Sequence, residues 1–144
     1  MNKRRSLFFI FSFIFIVTLC LTSCQDEGKV ITQPDEYKHI FEGNESIIIQ
    51  AIAQVFKDKV GSATIHPGQN KIESDYVVQD KWRTKNTARV KKINWKECEV
   101  TLSVITEKKT EAGWEMRKIL EKEQYDKYFN AIELQLYQEM YKVK

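Results

Sequence analysis

Apolar residues recur at helical spacing in two segments of the chain. In the first segment, residues 45–60, one predicted helix face is formed by Ile48, Ile52, Val55 and Phe56. Asn44 is a residue type that caps helix N-termini, and Gly61 suits the left-handed position after a last turn. A longer helix is predicted from about residue 121 to 141, with an apolar face that comprises Tyr125, Phe129, Ile132, Leu136 and Met140.

Between these helices, apolar and polar residues alternate with a period of two, which is typical of half-buried strands. The alternation predicts strands at 72–78, 82–93 and 98–105, and further short strands at 64–66 and 114–117. The polar residues from 107 onward, which end at a glycine, are expected to form a loop. Short connections favour antiparallel pairing. The sequence therefore predicts an α+β fold, with two helices on one face of a three- or four-stranded antiparallel sheet.

The N-terminal segment has the layout of a secretory signal. Positive charges at Lys3, Arg4 and Arg5 precede an apolar run from Leu7 to Leu21. This run of 15 residues is shorter than the roughly 20 residues that a membrane-spanning helix needs. We therefore expect residues 1–23 to be a signal peptide that is removed.

The end of this segment, Leu21-Thr22-Ser23-Cys24, resembles the lipobox of bacterial lipoproteins. The resemblance implies that the Cys24 thiol is alkylated with diacylglycerol, that cleavage falls before Cys24, and that the new amine is acylated. Such lipid anchors a protein to a membrane because each buried methylene contributes about 0.8 kcal/mol.

The residues behind Cys24 favour one membrane. Position 25 is Gln, whereas Asp there would favour retention at the inner membrane, by resemblance to the enterobacterial sorting rule. The expected location is therefore the outer membrane of a bacterial envelope, facing the periplasm. The acidic pair Asp26-Glu27 resembles export signals of surface lipoproteins, so exposure on the cell surface is the alternative.

Residues 24–41 are expected to be a flexible tether between the lipid and a single α+β domain at 42–144. The segment is polar and contains Gly28 and Pro34. A flexible segment of about 16 residues reaches on the order of 20 Å. The tether would lift the domain off the membrane without letting it travel far.

The charge balance excludes one class of partner. Lys and Arg number 23 and Asp and Glu number 20, but the three excess positive charges all lie in the signal, at Lys3, Arg4 and Arg5. Removing the signal leaves a chain with balanced charge, so no nucleic-acid partner is expected.

The sequence lacks the usual patterns for catalysis or metal binding. His39 and His66 have no His, Cys or carboxylate neighbour at ligand spacing, and no glycine-rich phosphate loop or nucleophile elbow occurs. Cys98 lies in an apolar alternation and is expected to be a small buried side chain. We therefore expect a non-catalytic protein with no cofactor and no metal.

A basic stretch at residues 81–96 is the most distinctive feature of the mature chain. It has seven positive charges, no acid, and a tryptophan near each end. Its candidate binding residues are Arg83, Lys85, Arg89, Lys91, Trp82 and Trp95. One interpretation is a platform for an anionic envelope glycan or lipid, because arginine binds such groups bidentately. The other is ion pairing across the sheet to Glu73, Asp75 or Glu99, and acidic partners within about 4 Å would rule out the platform.

The order of the predicted elements, behind a lipobox and a tether, resembles the helix-grip domains of the lipoprotein component of the outer-membrane barrel-assembly machinery. The likeness is carried by the helix end at Val55-Phe56-Lys57-Asp58-Lys59-Val60-Gly61, the strand at 72–78 and the long final helix. It implies a non-catalytic accessory or scaffolding subunit of an envelope assembly or secretion complex. The alternative function is a binding module that uses the basic stretch.

Overall fold

The structure is a computed structural model that describes residues 27–142. The predicted signal peptide, the lipobox-like sequence and Cys24 lie outside the described residues. In chain order the elements are β1 (Lys29–Val30), β2 (Glu36–Glu42), α1 (Glu45–Val60), β3 (Thr64–His66), β4 (Lys71–Glu73), β5 (Val77–Gln79), β6 (Trp82–Lys92), β7 (Glu97–Thr110), β8 (Gly113–Lys118) and α2 (Lys122–Lys142). None of the helices among these residues is long and apolar enough to cross a bilayer.

A long hairpin of β6 and β7 forms the centre of the sheet. The outer edge of β6 pairs with both β4 and β5, and the outer edge of β7 pairs with both β2 and β8. β3 extends the sheet beyond β4, and β1 extends it beyond β8. All these pairings are antiparallel, which confirms the predicted α+β class.

The predicted number of strands is wrong, because the described sheet has eight strands rather than three or four. The predicted short strand at 64–66 is confirmed as β3, and the predicted strand at 72–78 is divided into β4 and β5. The two strands that were not predicted are β1, which has only two residues, and β2, which lies in the expected tether. The expected loop at 107–113 is also wrong in its first half, since β7 continues to Thr110 and turns tightly into β8. Polar residues can occupy both faces there because the helices do not cover that end of the hairpin.

The expected tether is wrong from residue 29 onward, because β1 and β2 belong to the sheet. In β2, Tyr37, His39 and Phe41 face the helices and alternate with the more polar face of the strand. Phe41 is buried, and the His39 ring stacks on Phe129 of α2 at 5.2 Å between centroids. The alternation of β2 is present in the sequence, but Gly28 and Pro34 drew the interpretation toward a linker.

The first helix has the predicted bounds because its ends are set by local chemistry. The Asn44 side chain accepts a hydrogen bond from the Ser46 amide at 2.9 Å. Gly61 adopts a left-handed conformation (φ 86°), and its amide donates to the Lys57 carbonyl at 2.9 Å. These two contacts satisfy backbone groups that have no partner inside the helix.

Both helices pack on the same face of the sheet and bury one apolar core. The sheet supplies Phe41, Ile72, Ala88, Val90, Cys98, Val100, Leu102 and Val104 to this core. The helices supply Ile48, Ala51, Ile52, Ala53, Val55, Phe56, Tyr125, Phe129, Ile132 and Leu136. The opposite face of the sheet, called the outer face below, carries most of the charged side chains.

The predicted strand at 72–78 is interrupted, and a buried polar contact explains the break. Ser74 Oγ accepts a hydrogen bond from the Asn86 amide at 2.9 Å, and the Ser74 amide donates to the Asn86 carbonyl at 2.9 Å. Asn86 is fully buried, and its side-chain amide also donates to the Tyr128 hydroxyl at 3.1 Å. The Ser74 side chain thus replaces a ladder bond where β4 ends and β5 begins.

Replacing Ser74 with alanine should leave the buried backbone N–H of Asn86 without a hydrogen-bond acceptor. An unsatisfied buried donor costs about 1–3 kcal/mol, so Ser74→Ala should lower the free energy of unfolding by that amount. Urea unfolding followed by circular dichroism measures the change. Ser46→Ala, at an exposed position of α1, is the matched control and should change the stability little. Equal stability of the two variants would contradict the role given to Ser74.

Candidate functional site

The basic residues of β6 do not lie together with both tryptophans. Arg83, Lys85, Arg89 and Lys91 lie on the outer face, opposite to the buried side chains of the same strand. Trp82 points to the other side, where the Lys108 amine lies 5.6 Å from its ring centroid. Trp95 lies in the turn between β6 and β7 and is 78% exposed. The four predicted cations therefore form one row on the outer face. Trp95 lies beyond the end of this row, and Trp82 lies on the opposite face of the sheet.

Arg83 is enclosed by an acid and two aromatic rings. Its Nε lies 2.5 Å from Glu107 Oε2, and the two residues stand directly opposite each other on β6 and β7. The guanidinium carbon lies 4.3 Å from the Tyr76 ring centroid and 4.4 Å from that of Trp114. These contacts hold Arg83 within the sheet rather than presenting it to a ligand.

A second cluster forms around Glu73. Lys71 Nζ and Lys85 Nζ lie 2.9 Å and 3.1 Å from Glu73 Oε1, and His66 Nε2 lies 2.8 Å from Oε2. The hydrogen bond from Lys71, supported by Lys85, lowers the pKa of Glu73 to about 2. The Glu73 carboxylate is therefore ionised at neutral pH and forms ion pairs with Lys71 and Lys85 of the same sheet.

The remaining two cations lie nearer the β6–β7 turn. Arg89 Nη1 lies 3.1 Å from Glu36 Oε1, and both side chains are about half exposed. Lys91 is exposed and stands opposite Glu99, which is itself paired with Lys38 at 3.2 Å. Lys91 makes no ion pair with another residue of the range 27–142.

The requirement stated for an anion platform is therefore not met at Arg83, Lys85 or Arg89. Each has an acidic partner within 4 Å, as the cross-strand interpretation expects. Of the partners foreseen from the sequence, Glu73 and Glu99 take part in outer-face ion pairs. Glu107 and Glu36 were missed because they had been placed in a loop and in the tether.

A larger concave surface than any on the outer face described here lies at the end of the domain where the β6–β7 turn is found. A groove of about 630 Å³ runs between β2, this turn and the second half of α2. Its apolar lining comprises Phe41, Leu136 and Met140. Trp95 of the turn and Tyr137 of α2 both line the groove, and both are more than half exposed. Of these two aromatic residues, the sequence singles out Trp95 as one end of the basic stretch.

The groove carries charged side chains at its borders. Glu42, Glu133 and Lys96 line it together with His39. Within residues 27–142, no three His, Cys, Asp or Glu side chains are placed to hold a metal ion. The groove therefore has the composition of a contact surface, with an apolar centre and polar borders.

The remaining thiol of the domain is an inert core residue. Cys98 is 1% exposed and lies on the buried face of β7, as its place in the apolar alternation predicted. Burial raises the pKa of the Cys98 thiol, so little thiolate is present at neutral pH.

The cluster around Glu73 should make stability depend on pH. The pKa of Glu73 is about 2 in the folded protein, below the ordinary value of 4.5. Between about pH 2 and pH 4.5, unfolding is therefore accompanied by uptake of a proton at Glu73. The stabilisation is complete above about pH 4.5 and is lost as the pH falls toward 2. Glu73→Gln should remove this part of the pH dependence of unfolding.

The measurement is the urea midpoint at several pH values between about 2 and 6. Glu123→Gln is the control, since Glu123 is 80% exposed and pairs only within α2. Its profile should follow that of the wild type. Parallel profiles for Glu73→Gln and the wild type would contradict the account of the outer face.

Comparison with known proteins does not indicate a function for this chain. Neither models of known protein families nor curated proteins match it. The function is therefore inferred from the resemblance of residues 21–24 to a lipobox and from the surfaces described above.

Proposed function

We propose that this protein is a non-catalytic lipoprotein of the bacterial cell envelope, acting as an accessory or scaffolding subunit of an assembly or secretion complex. The lipobox at residues 21–24 supports membrane attachment. The observation that carries the subunit role is the groove with its exposed aromatic walls.

The groove has the features of a protein-binding surface. Trp95 is 78% exposed and Tyr137 is 52% exposed, although both are large aromatic side chains. Tryptophan and tyrosine are enriched among the residues that dominate binding energy at interfaces. A partner side chain between them would contact Phe41, Leu136 and Met140, and would be bordered by Glu42 and Glu133.

The outer face is less suited to recognition of an anion. A smaller depression of about 200 Å³ on that face is lined by Lys71, Glu73, Arg89 and Glu36, among others. All four of these side chains already take part in ion pairs. An anionic glycan or lipid would have to break these pairs, so this alternative gains no support.

The lipid anchor would hold the domain close to a membrane. If cleavage falls before Cys24, only residues 24–28 precede β1. Five residues span at most about 17 Å when fully extended. The domain would then act next to the lipid surface, and we place it at the outer membrane on the periplasmic side.

The proposal is tested by cross-linking the full-length protein in cells, purifying it and identifying the attached proteins by mass spectrometry. The variants are Cys24→Ala, Trp95→Ala and Tyr137→Ala. Val78→Ala is the matched control, because Val78 is 61% exposed but lies on β5, at the opposite end of the sheet.

We expect a small set of envelope proteins in near-stoichiometric amounts with the wild type and with Val78→Ala. Cys24→Ala should lose this set because the protein leaves the membrane. Trp95→Ala and Tyr137→Ala should each reduce it about tenfold while remaining membrane-bound. An unchanged set in both aromatic variants, or no enriched protein with the wild type, would overturn the proposal.

A further inference from the structure

Strand β2 has an open edge. Its pairing with β7 uses one side of the strand, and no strand within the described range 27–142 pairs with the other side. The Gly43 amide donates to the Lys96 carbonyl at 2.7 Å, which fixes the alternation of the ladder. The backbone groups of Lys38, Ile40 and Glu42 therefore point away from β7. An open edge of this kind is a template for another strand.

The pattern of side chains along this edge is self-complementary. We propose that β2 pairs antiparallel with β2 of a second copy of this chain, about a two-fold axis at Ile40. Lys38, which pairs with Glu99 of its own copy at 3.2 Å and is 60% exposed, then stands between that Glu99 and Glu42 of the second copy. The reverse pair forms as well, and the two Ile40 side chains meet. Opposite charges in directly opposed positions stabilise a strand pair.

Neighbouring registers lack this complementarity. Centring the pair on Phe41 would place Lys38 opposite Asn44 and Glu42 opposite Ile40, so neither charge would gain an opposite charge. Centring the pair on His39 would place Glu36 opposite Glu42 of the second copy. Centring it on Lys38 would place the two Lys38 residues opposite each other. Like charges in such positions are destabilising, so the register centred on Ile40 is selected over these two as well.

The isolated chain leaves Glu42 in an unfavourable position that the second copy relieves. Glu42 stands directly opposite Glu97 across β2 and β7, where the Cα atoms of a non-hydrogen-bonded pair are about 4.5 Å apart. Lys38 of the second copy would approach Glu42 from its open side. Ile40, which is 53% exposed on a face rich in charge, would be covered at the same time.

The pairing closes on itself. A two-fold interface uses the same surface on both copies, so it gives a dimer and leaves no edge for further growth at β2. The two sheets become continuous, and both α2 helices lie on one side of the joint sheet. The inference does not rest on the proposed function, because it is argued from the edge of β2 alone, although Ile40 and Glu42 also line the groove.

Disulfide trapping of the full-length protein in its membrane tests the register. Directly opposed residues of a hydrogen-bonded antiparallel pair have Cα atoms about 5.5 Å apart, within the range that a disulfide bridges. Ile40→Cys should therefore form a covalent dimer under mild oxidation. Lys38→Cys alone should not, because its two copies would be on the order of 14 Å apart along the strands.

Two further measurements make the test specific. Coexpressed Lys38→Cys and Glu42→Cys chains should cross-link with each other. In the Ile40→Cys background, Glu42→Lys should reduce the dimer fraction about tenfold, and the added change Lys38→Glu should restore it. Glu42→Lys also removes the repulsion from Glu97, so loss of folding would not explain the reduction.

Cross-linking of Ile40→Cys no greater than that of Lys38→Cys would overturn the dimer, as would a failure of the charge swap to restore it. The wild type gives the background, since Cys98 is buried. Trp95→Ala in the Ile40→Cys background should leave the dimer fraction unchanged. If no dimer forms but the envelope proteins are still cross-linked, only the dimer is refuted. If the dimer forms but no envelope protein is cross-linked, only the proposed function is refuted.

Discussion

The fold depends on the long hairpin of β6 and β7. Its ladder joins residues from Trp82–Lys108 to Lys92–Cys98, and every other strand is attached to it directly or through one neighbour. On one face of the hairpin, small and branched side chains such as Ala88 and Val100 let both helices approach the sheet. On the other face, cations of β6 lie beside acids of β7. The period of two thus produces the core and the charged surface from the same two strands.

The sequence was informative where local chemistry decides the structure. The bounds of α1 follow from Asn44 and Gly61, whose effects extend over one turn. The two-residue strand β1 was not predicted, and β4 and β5 were predicted as one strand, because such short strands are defined by their partners rather than by their own pattern. The pairing of Arg83 with Glu107 and of Arg89 with Glu36 spans 24 and 53 residues of sequence. Such contacts depend on register, which composition does not reveal, and the groove likewise forms only after β2 and α2 are in place.

The outer face of the sheet and the surface formed by the groove and the open edge of β2 have different roles. The charges of the outer face mostly pair with one another, so that face contributes to stability and solubility. The groove and the open edge of β2 lie together at the end of the domain that holds Trp95, and Ile40 and Glu42 belong to both. The strand that carries these residues begins twelve positions after Cys24. A lipid on Cys24 would thus bring the interaction surfaces near a membrane, where a fixed orientation favours encounters with membrane-bound partners.

The central claim is that β2 and the adjacent groove, rather than the outer face of β6, form the contact surface of this protein. Amide hydrogen exchange of the full-length protein tests it most directly, comparing the protein in its native membrane with the same protein diluted in detergent. We expect the amides of residues 36–42 and 93–97 to exchange more slowly in the membrane than in detergent. The exchange rates of residues 77–79 should be the same in both. Protection confined to residues 83–91, with equal exchange of β2 in the two states, would contradict it.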